Sequence, residues 1–342
     1  MKLVTYAVKN RPLSVSGTEV GESRIGWVRD RYVMDIGFAQ EWATVKKGLS
    51  TPRVLPTDMI GLLEADPSGE VLRTIVQAVS EEDPRKMTVE GEPVSLPLEE
   101  AELFAPLPVP RSFRDFYAFE QHVKTARARR GLDMIPEWYQ FPVFYFSNSH
   151  SIKGPEADVE RPTDTRALDF ELEVAFVVGK KGKNIPVEKA QDYIYGLCVL
   201  NDWSARDLQR EEMKVGLGPA KGKDFATSVG PYLVTLDELE HRRKGDRWDL
   251  TMTARVNGKE LSRGNAGDLT FSFAQMVERA SRDCTLYPGD LVGSGTVGTG
   301  CILELGNEVH RWLEPGDEVE LEIEELGLLR NRIIVSSENQ DG

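Results

Sequence analysis

The segment ALDFELEVAFVVG, residues 167–179, constrains the fold more than any other part of the chain. Residues 174–178 are apolar at every position, which is typical of a strand buried on both faces. Just before them, Asp169, Glu171 and Glu173 alternate with apolar residues, and alternate residues of a strand share one face. The segment therefore predicts three carboxylates on one face of a strand that enters a buried core.

Two interpretations explain these acids. The first is an amphipathic strand whose polar face lies in water. The second is a cavity, lined by the acids, at the point where the buried strand emerges. Carboxylates held together away from water repel one another and are costly to ionise unless a cation joins them. A hard divalent cation, which prefers oxygen ligands, is the simplest such partner.

The composition changes near residue 105. The chain has 342 residues, which is enough for one large domain or two smaller ones. The segment AELFAPLPVPRSF, residues 101–113, is rich in proline, which interrupts regular secondary structure. We therefore expect a small N-terminal domain at residues 1–105 and a larger domain at residues 106–342.

Hydrophobic patterns and turn signals place elements on both sides of this boundary. The first part predicts strands at 2–8 and 24–36 and helices near 58–65 and 70–79. The second part predicts a helix near 271–281 and strands at 171–178, 195–203, 230–239 and 250–258. Pro-Gly-Asp turns at 288–290 and 315–317 each precede an alternating apolar run, and we expect the acids of the second run to form a solvated face. The second part is thus expected to be mostly β.

Charge and cysteine content argue against several classes of partner. The net charge of -14 and the isoelectric point near 5.0 exclude nucleic acid as an expected partner, because its phosphates are bound by basic patches. The three cysteines are far apart and lack metal-site spacing, which is typical of buried thiols in a reducing compartment. No apolar run approaches the roughly 18 residues of a membrane span, and the first residues lack the apolar core of a signal peptide. We therefore expect a soluble cytoplasmic protein.

A fourth acid, Asp202, follows the apolar run at 197–200. Beyond it, the spacing of Arg206 and Gln209 by three residues indicates a helix. Asp202 could cap that helix, a common role of aspartate. It could equally be a ligand at a strand end, and the residues alone leave both interpretations open.

A glycine-rich segment, GLGPAKGKDFATSVGP at residues 216–231, contains Lys221 and Lys223. It lacks the GxxxxGK[ST] order of a phosphate-binding loop, so a nucleotide site is not predicted. A lysine in such a turn can face an anionic substrate group, and its pKa shifts readily on burial. A solvated turn lysine is the alternative for either residue.

The segment RDFYAFEQH, residues 114–122, supplies a candidate base. If it is helical, Asp115 and His122 are seven residues apart and share a face. A histidine hydrogen-bonded to an acid can serve as a general base near neutral pH. A structural histidine is the alternative, because a histidine alone does not define a catalytic site.

Four blocks, in this order and at these separations, resemble the fumarylacetoacetate hydrolase family: LDFELEVAFVVG, NDWSARDLQ, LGPAKGKDFATSVGPYLV and PGDLVGSGT. The resemblance covers about residues 111–335 and includes RDFYAFEQH. It implies an α+β, mostly β fold: a mixed β-sandwich roll with a small N-terminal α/β domain. It also implies a divalent cation, Mg2+, Mn2+ or Ca2+, and a homodimer.

The resemblance assigns roles to individual residues. It implies that His122 activates water, that Glu304 orients His122, and that Lys223 offsets substrate charge. Asp169 is implied to be a neighbour that supports the site or Lys223 rather than a ligand. The implied metal ligands are Asp115, Glu171, Glu173 and Asp202. The implied substrate-lining residues are Tyr117, Tyr145, Arg206, Gln209 and Thr296.

The activity implied by the resemblance is metal-dependent hydrolysis of a carbon–carbon bond in a β-diketo acid of the fumarylacetoacetate or acylpyruvate type, as in aromatic amino acid catabolism. Related enzymes include oxaloacetate decarboxylases and isomerases or hydratases of 2-keto acids, and fold and metal site do not separate these reactions. Two alternatives of other classes are a metal-dependent binding protein without turnover and a structural β protein without metal. Metal content separates the structural protein from the other two.

Overall fold

The computed structural model describes residues 1–9 and 23–336. Within these residues, strands predominate over helices and form two main sheets, which confirms the α+β, mostly β fold. Every helix in this part of the chain is too short or too polar to span a lipid bilayer. The helices are α1 Ile36–Lys47, α2 Met59–Ala65, α3 Glu70–Val79, α4 Glu120–Ala128, α5 Val187–Ala190, α6 Arg206–Val215, α7 Phe273–Ser281 and α8 Ile302–Leu305.

The strands are numbered in chain order. Those of the first hundred or so residues are β1 Lys2–Val8, β2 Arg24–Arg29, β3 Tyr32–Asp35, β4 Thr88–Val89, β5 Glu92–Pro93, β6 Ser95–Pro97 and β7 Ala101–Phe104. The next are β8 Ser112–Phe116, β9 Phe144–Ser147, β10 Ile152–Lys153, β11 Asp158–Arg161, β12 Leu168–Asp169, β13 Leu172–Val178, β14 Ile194–Asn201, β15 Ser204–Ala205 and β16 Thr227–Thr235. The last are β17 Arg243–Lys244, β18 Arg247–Trp248, β19 Thr251–Val256, β20 Lys259–Asn265, β21 Asp290–Gly293, β22 Glu318–Ile323 and β23 Gly327–Val335.

The main sheet has the order β6-β3-β2-β1-β16-β14-β13-β21-β8-β9. Its strand β13 is buried along its whole length, as its apolar run predicts. One face of β13, with Val174 and Phe176, packs into the core shared with the second sheet. The other face, with Ala175 and Val177, packs into a separate core. β13 therefore lies between two cores, and polar groups at its start are surrounded by protein.

The second sheet has the order β11-β23-β22-β19-β20 and covers one face of the main sheet. In β22, Val319, Leu321 and Ile323 are buried, and the acids between them are half-buried or exposed. This alternation agrees with the solvated acidic face expected from the sequence. Both Pro-Gly-Asp turns precede strands, β21 and β22, as predicted.

The first part of the chain joins the main sheet through β1, which pairs antiparallel with β16. Its helices α2 and α3 lie where the sequence predicts them. Trp27 and Leu62 share a core with Leu200 of β14. The division near residue 105 stays a prediction, and the two parts share a continuous sheet and a common core.

Helix α1 is not among the elements predicted from the sequence. It follows β3 directly, and the Asp35 side chain accepts a hydrogen bond from the Phe38 N–H at its start. It ends at Gly48, whose φ of 66° is favourable for glycine. The apolar residues of α1 do not recur at a clear helical spacing. Asp35 before the helix and Gly48 after it are therefore the sequence features that could have predicted α1.

Candidate active site

Four carboxylates converge where strands of the main sheet end. Asp115 lies on β8 and Glu173 on β13, with β21 between them. Glu171 lies just before β13, and Asp202 just after β14. All four side chains are buried, and one oxygen from each lies within 4.8 Å of the others. The arrangement excludes the first interpretation of the acids, a solvated strand face.

Gly293 of β21 leaves the space that the carboxylates need. It pairs with Asp115 on one side and Ala175 on the other. A Cβ atom at this position would lie 2.4 Å from Asp115 Oδ1 and 3.0 Å from Glu173 Oε2. A larger residue would therefore push these two acids apart.

Lys223 binds two of the four acids. Its Nζ lies 2.5 Å from Glu171 Oε2 and 2.6 Å from Asp202 Oδ2. The Tyr145 hydroxyl donates to the same Asp202 oxygen at 2.6 Å. Asp202 does not cap the following helix, because α6 begins at Arg206 and has no side-chain cap. The cap interpretation of Asp202 is thus wrong, and the solvated-turn interpretation is wrong for Lys223.

Arg206 connects the cluster to Asp169. Its Nε lies 2.8 Å from Asp169 Oδ2, and its Nη2 lies 2.8 Å from Glu171 Oε1. Asp169 also accepts hydrogen bonds from the backbone N–H groups of Ile302 and Leu303. Asp169 therefore supports the site by holding Arg206, and not through Lys223.

The four acids differ in their electrostatic surroundings. Burial, followed by repulsion from Asp202, raises the pKa of Asp115 well above its usual value. Burial and the nearby Asp115 likewise raise the pKa of Glu173. Burial alone would raise the pKa of Glu171, but Lys223 and then Arg206 outweigh it and lower that pKa. The cluster has more negative charge than its two cations compensate.

The cluster fits a divalent cation. Asp202 Oδ1 is buried and has no hydrogen-bond partner among the described residues. The Gly295 N–H donates to both Asp115 and Glu173, at 3.1 and 3.0 Å, and the Thr296 hydroxyl donates to Glu173 alone, at 3.4 Å. A set of carboxylate oxygens suits a hard ion such as Mg2+, Mn2+ or Ca2+. A cation here would remove the repulsion and partner the orphaned oxygen.

A second pair of side chains lies beside the cluster. His122 Nδ1 is 2.5 Å from Glu304 Oε1, and both residues are buried. Asp115 and His122 do not share a helix: Asp115 lies on β8 and His122 on α4, so that prediction is wrong. Residues 117–119 are neither strand nor helix and connect β8 to α4. Their aromatic side chains pack against the core, and this packing prevails over the helical spacing of the sequence.

Glu304 is held by its own loop. Its Oε2 accepts the Thr299 N–H at 3.0 Å, and its Oε1 accepts the Cys301 S–H at 3.7 Å. Thr299 has a φ of 68°, a left-handed conformation that is costly for a β-branched residue. The loop is therefore strained in the conformation that directs a backbone N–H at Glu304.

One cavity of about 700 Å3 joins these groups. It is within the usual size range for small-molecule sites. Asp202 and Glu304 lie behind its wall and contact residues that line it. Of the residues predicted for the site, those that line the cavity are Asp115, Tyr117, His122, Tyr145, Glu171, Glu173, Arg206, Gln209, Lys223 and Thr296.

Several residues of the site were not predicted. Asn201 accepts the Glu171 N–H at 2.9 Å and fixes the start of β13. Thr299 and Cys301 hold Glu304, as described above. Arg130 and Arg210 line the cavity. These residues carry no motif of their own, although Arg210 directly follows Gln209, which is predicted to line the substrate site.

Comparison with known proteins gives the family. Residues 111–334 match the family described as fumarylacetoacetate (FAA) hydrolase C-terminal. The chain belongs to this family. It is 30% identical to the fumarylacetoacetase of Oryza sativa subsp. japonica over 284 residues, 66% of each chain. It is 36% identical to the mitochondrial oxaloacetate tautomerase Fahd2a of Rattus norvegicus over 196 residues, 56% of this chain and 59% of the relative.

A solved structure of similar fold is maleylpyruvate hydrolase from Sphingobium sp. SYK-6. It has a TM-score of 0.67 and 20% sequence identity, and the match covers 98% of this chain and all of that one. This likeness supports the fold. The match spans 66% of the Oryza sativa protein and 59% of the Rattus norvegicus protein, less than two thirds of each. These relatives are named as a fumarylacetoacetase, an oxaloacetate tautomerase and a maleylpyruvate hydrolase.

Proposed function

We propose that this protein hydrolyses a carbon–carbon bond in a β-diketo acid of the fumarylacetoacetate or acylpyruvate type. The observation that carries the proposal is the buried His122–Glu304 pair beside four carboxylates in one cavity. A base that takes a proton from water and a group that stabilises an enolate are the two requirements of this reaction. The relatedness to fumarylacetoacetase agrees with it.

His122 is the proposed general base. Its Nδ1 is bound by Glu304, which leaves Nε2 as the nitrogen available to a water molecule. The carboxylate stabilises the imidazolium that forms when His122 takes the proton. The Tyr117 ring packs edge-on against the imidazole, with centroids 5.4 Å apart, and limits its rotation. His122 and Glu304 would therefore act as a unit.

The bond changes balance without a further reactant. The oxygen of the activated water forms a bond to the distal carbonyl carbon, and its proton goes to His122. The carbon–carbon bond next to that carbonyl breaks, and its electron pair passes to the leaving ketone as an enolate. The proton held by His122 passes to the enolate carbon, which releases a carboxylic acid and a keto acid: pyruvate from an acylpyruvate, or acetoacetate from fumarylacetoacetate.

The proposed ligands of a divalent cation are Asp115, Glu171, Glu173 and Asp202. When bound, such a cation supplies Lewis-acid stabilisation of the negative charge on the enolate oxygen. Lys223 and Arg206 would hold the acids in place and offset substrate charge. The Tyr145 phenol stays protonated, because burial and then Asp202 raise its pKa well above the usual value, so its hydroxyl remains a donor. Tyr117, Gln209 and Thr296 are proposed to contact the substrate.

A second candidate is tautomerisation or decarboxylation of a 2-keto acid such as oxaloacetate. The 36% identity to an oxaloacetate tautomerase favours it, although the match covers only 56% of this chain. The same cluster would stabilise the enolate in either reaction. The reactions differ in whether water attacks a carbonyl, and hence in their need for a base at His122.

The test is turnover of two substrates side by side, fumarylpyruvate and oxaloacetate, with Mg2+ or Mn2+ and with EDTA as the control. Metal-dependent loss of the diketo absorbance, with fumarate and pyruvate as products, supports hydrolysis. Reaction of oxaloacetate alone supports the second candidate and removes the need for His122 as a base. Bound metal without turnover of either compound would favour a binding protein, and no metal at all would favour a structural protein. The predicted homodimer is tested by sedimentation of the same sample.

A further inference from the structure

Cys301 is a buried thiol that takes no part in the bond changes of the proposed reaction. It directly precedes α8, the short helix that carries Glu304, and none of its surface is exposed. Its S–H donates to Glu304 Oε1 at 3.7 Å, and His122 Nδ1 contacts the same oxygen at 2.5 Å. One carboxylate oxygen is therefore shared by a sulfur and an imidazole nitrogen.

These three side chains are a second set of metal-ligating type, and their chemistry differs from that of the carboxylate cluster. One ligand atom from each of Cys301, His122 and Glu304 lies within 4.8 Å of the others. In residues 1–9 and 23–336, this set and the cluster are the only such groups of three or more side chains. The cluster presents oxygen alone, which hard ions prefer, whereas the second set presents sulfur, nitrogen and oxygen. The second set therefore suits Zn2+ and other thiophilic ions.

The spacing of the three ligand atoms is close to that of a tetrahedral zinc site. Zinc bonds of about 2.1 Å to nitrogen or oxygen and about 2.3 Å to sulfur place neighbouring ligands about 3.4 to 3.6 Å apart. The distance of 3.7 Å between Cys301 Sγ and Glu304 Oε1 already agrees with this value. The distance between His122 Nδ1 and Glu304 Oε1, 2.5 Å, would have to increase by about 1 Å. A metal ion would thus take the place of the proton between His122 and Glu304.

The surroundings of the three side chains support metal binding. Glu304 Oε2 accepts the Thr299 N–H at 3.0 Å, which orients the carboxylate and leaves Oε1 for the metal. His122 lines the cavity, so an ion can reach its imidazole from the substrate space. Burial raises the pKa of Cys301 well above its usual value, so the sulfur keeps its proton until a metal replaces it. Binding therefore releases the thiol proton, and without metal the thiol is unreactive.

We propose that Cys301, His122 and Glu304 form a second metal site, the Cys301 site, which binds Zn2+ or another thiophilic divalent ion and thereby inhibits hydrolysis. The imidazole accepts a proton from water at Nε2 only while Nδ1 carries the other ring proton. A metal ion on Nδ1 shifts that proton to Nε2, so His122 can no longer act as a base. The inhibition rests on the proposed function, because it takes His122 as the base, whereas the metal site itself does not.

Cd2+ is the probe for the Cys301 site, because a cadmium–thiolate bond absorbs in the ultraviolet and a cadmium–carboxylate bond does not. The full chain is titrated with Cd2+ in excess Mg2+, and the absorbance is followed without any need for turnover. We expect the thiolate band to saturate with a dissociation constant of about 1 μM, weaker than that of a structural zinc site with four protein ligands. Zn2+ should displace the cadmium and remove the band.

Variants locate the bound ion. Cys301→Ser should abolish the band, and His122→Ala should weaken cadmium binding about 100-fold or more, since partners of metal ligands alone contribute about 10- to 100-fold. Cys284→Ser, the same substitution at an exposed cysteine, is the matched control and should keep the band. The third cysteine, Cys198, is packed in a core on β14. A band in the Cys284→Ser protein therefore tests Cys301 even where Cys301→Ser does not fold.

Inhibition is measured as the ratio of fumarylpyruvate hydrolysis without Zn2+ to hydrolysis with Zn2+, in excess Mg2+. At a Zn2+ concentration about ten times the dissociation constant, mass action leaves about a tenth of the protein free of zinc, so hydrolysis should fall about tenfold. Each variant is compared with its own rate without zinc, so a changed basal rate does not affect the ratio. The ratio should be about tenfold in Cys284→Ser and close to one in Cys301→Ser.

The outcomes separate the metal site from the proposed function. A thiolate band that is absent from the unchanged protein, or that persists in Cys301→Ser, overturns the site and leaves the hydrolase proposal standing. Equal zinc inhibition in Cys301→Ser and Cys284→Ser places the inhibitory ion elsewhere and overturns the inhibitory role. The expected band in a protein that hydrolyses no fumarylpyruvate supports the site and contradicts the proposed reaction. The expected band without inhibition supports the site and contradicts His122 as the base.

Discussion

The carboxylate cluster and the His122–Glu304 pair face the same cavity but are built in opposite ways. The cluster gathers groups that repel one another, and two buried cores hold the strands that carry them. The pair brings together two groups that attract one another. His122 lies near the start of α4, and Glu304 is bound by the strained loop at Thr299. Buried strands thus hold the carboxylates, which repel one another. A helix and a loop are enough to hold His122 and Glu304, which attract one another.

The largest expected effect comes from the cluster. Glu171→Ala removes the carboxylate that both Lys223 and Arg206 bind, so we expect bound metal and turnover to be lost together. Leaving buried cations short of a partner should also destabilise the fold by up to about 3 to 5 kcal/mol. Metal analysis, turnover and thermal unfolding of the same preparation measure these effects.

Two further variants make this test specific. Glu171→Gln keeps the side-chain volume and should lose metal with less loss of stability. Glu188→Ala, at an exposed position on α5, should change neither metal content nor turnover. Full metal content in the Glu171→Ala protein would show that this residue is not a ligand.

His122→Ala should separate the pair from the cluster. Because His122 is the proposed base and not a ligand, we expect metal content to stay unchanged while hydrolysis falls about 10²- to 10⁴-fold. Metal analysis and hydrolysis of fumarylpyruvate give the two readouts. His150→Ala, which changes an exposed histidine outside the cavity, is the control. Unchanged hydrolysis in the His122 variant would remove it from the mechanism.

Glu304→Gln should have a smaller effect of the same kind. The amide retains the shape of the side chain but stabilises the His122 imidazolium less, so we expect hydrolysis to fall within about 10²-fold. The fall should be in kcat rather than in KM, because Glu304 lies behind the cavity wall and acts through His122. Glu308→Gln, at an exposed position just after α8, should leave both kcat and KM unchanged. A loss of thermal stability with unchanged kcat would indicate that Glu304 is only structural.

The smallest expected effect is on stability. Burial raises the pKa of Asp115 and Glu173, so the metal-free folded state holds protons that the unfolded state has released. This contribution is present below the ordinary carboxyl pKa and is lost as pH rises through the raised values. Metal-free protein should therefore lose stability with rising pH, and added Mg2+ should raise Tm more at pH 8 than at pH 6. An increase in Tm that is independent of pH would contradict this account.

The sequence predicted the parts of the site that lie in local patterns. The doubly buried strand β13, the acids before it and the helix after Asp202 all follow from spacing within a few residues. The partner of Asp169 could not be predicted in this way. Arg206 lies 37 positions further along the chain, and only the pairing of β12 with β15 brings the two together.

Errors in the sequence interpretation have the same origin. The spacing of Asp115 and His122 satisfied a helix, but the pairing of β8 with β21 and β9 made the first residue part of a strand. Helix α1 was missed because its ends, and not its face, carry the signal. Arg130 and Arg210 could be assigned to the cavity only after the fold had brought the residues that follow α4 and those of α6 to the same cavity.

The position of β13 between two cores affects how the protein can be re-engineered. Ala175 and Val177 pack against residues of the first part of the chain, while Glu173 on the same strand faces the carboxylate cluster. Exchanging the N-terminal region for that of a relative would change the packing on the face of β13 that also carries Glu173, a proposed metal ligand. The region is therefore not an interchangeable module, and a chimera would inherit a displaced cluster unless this face of β13 were redesigned with it.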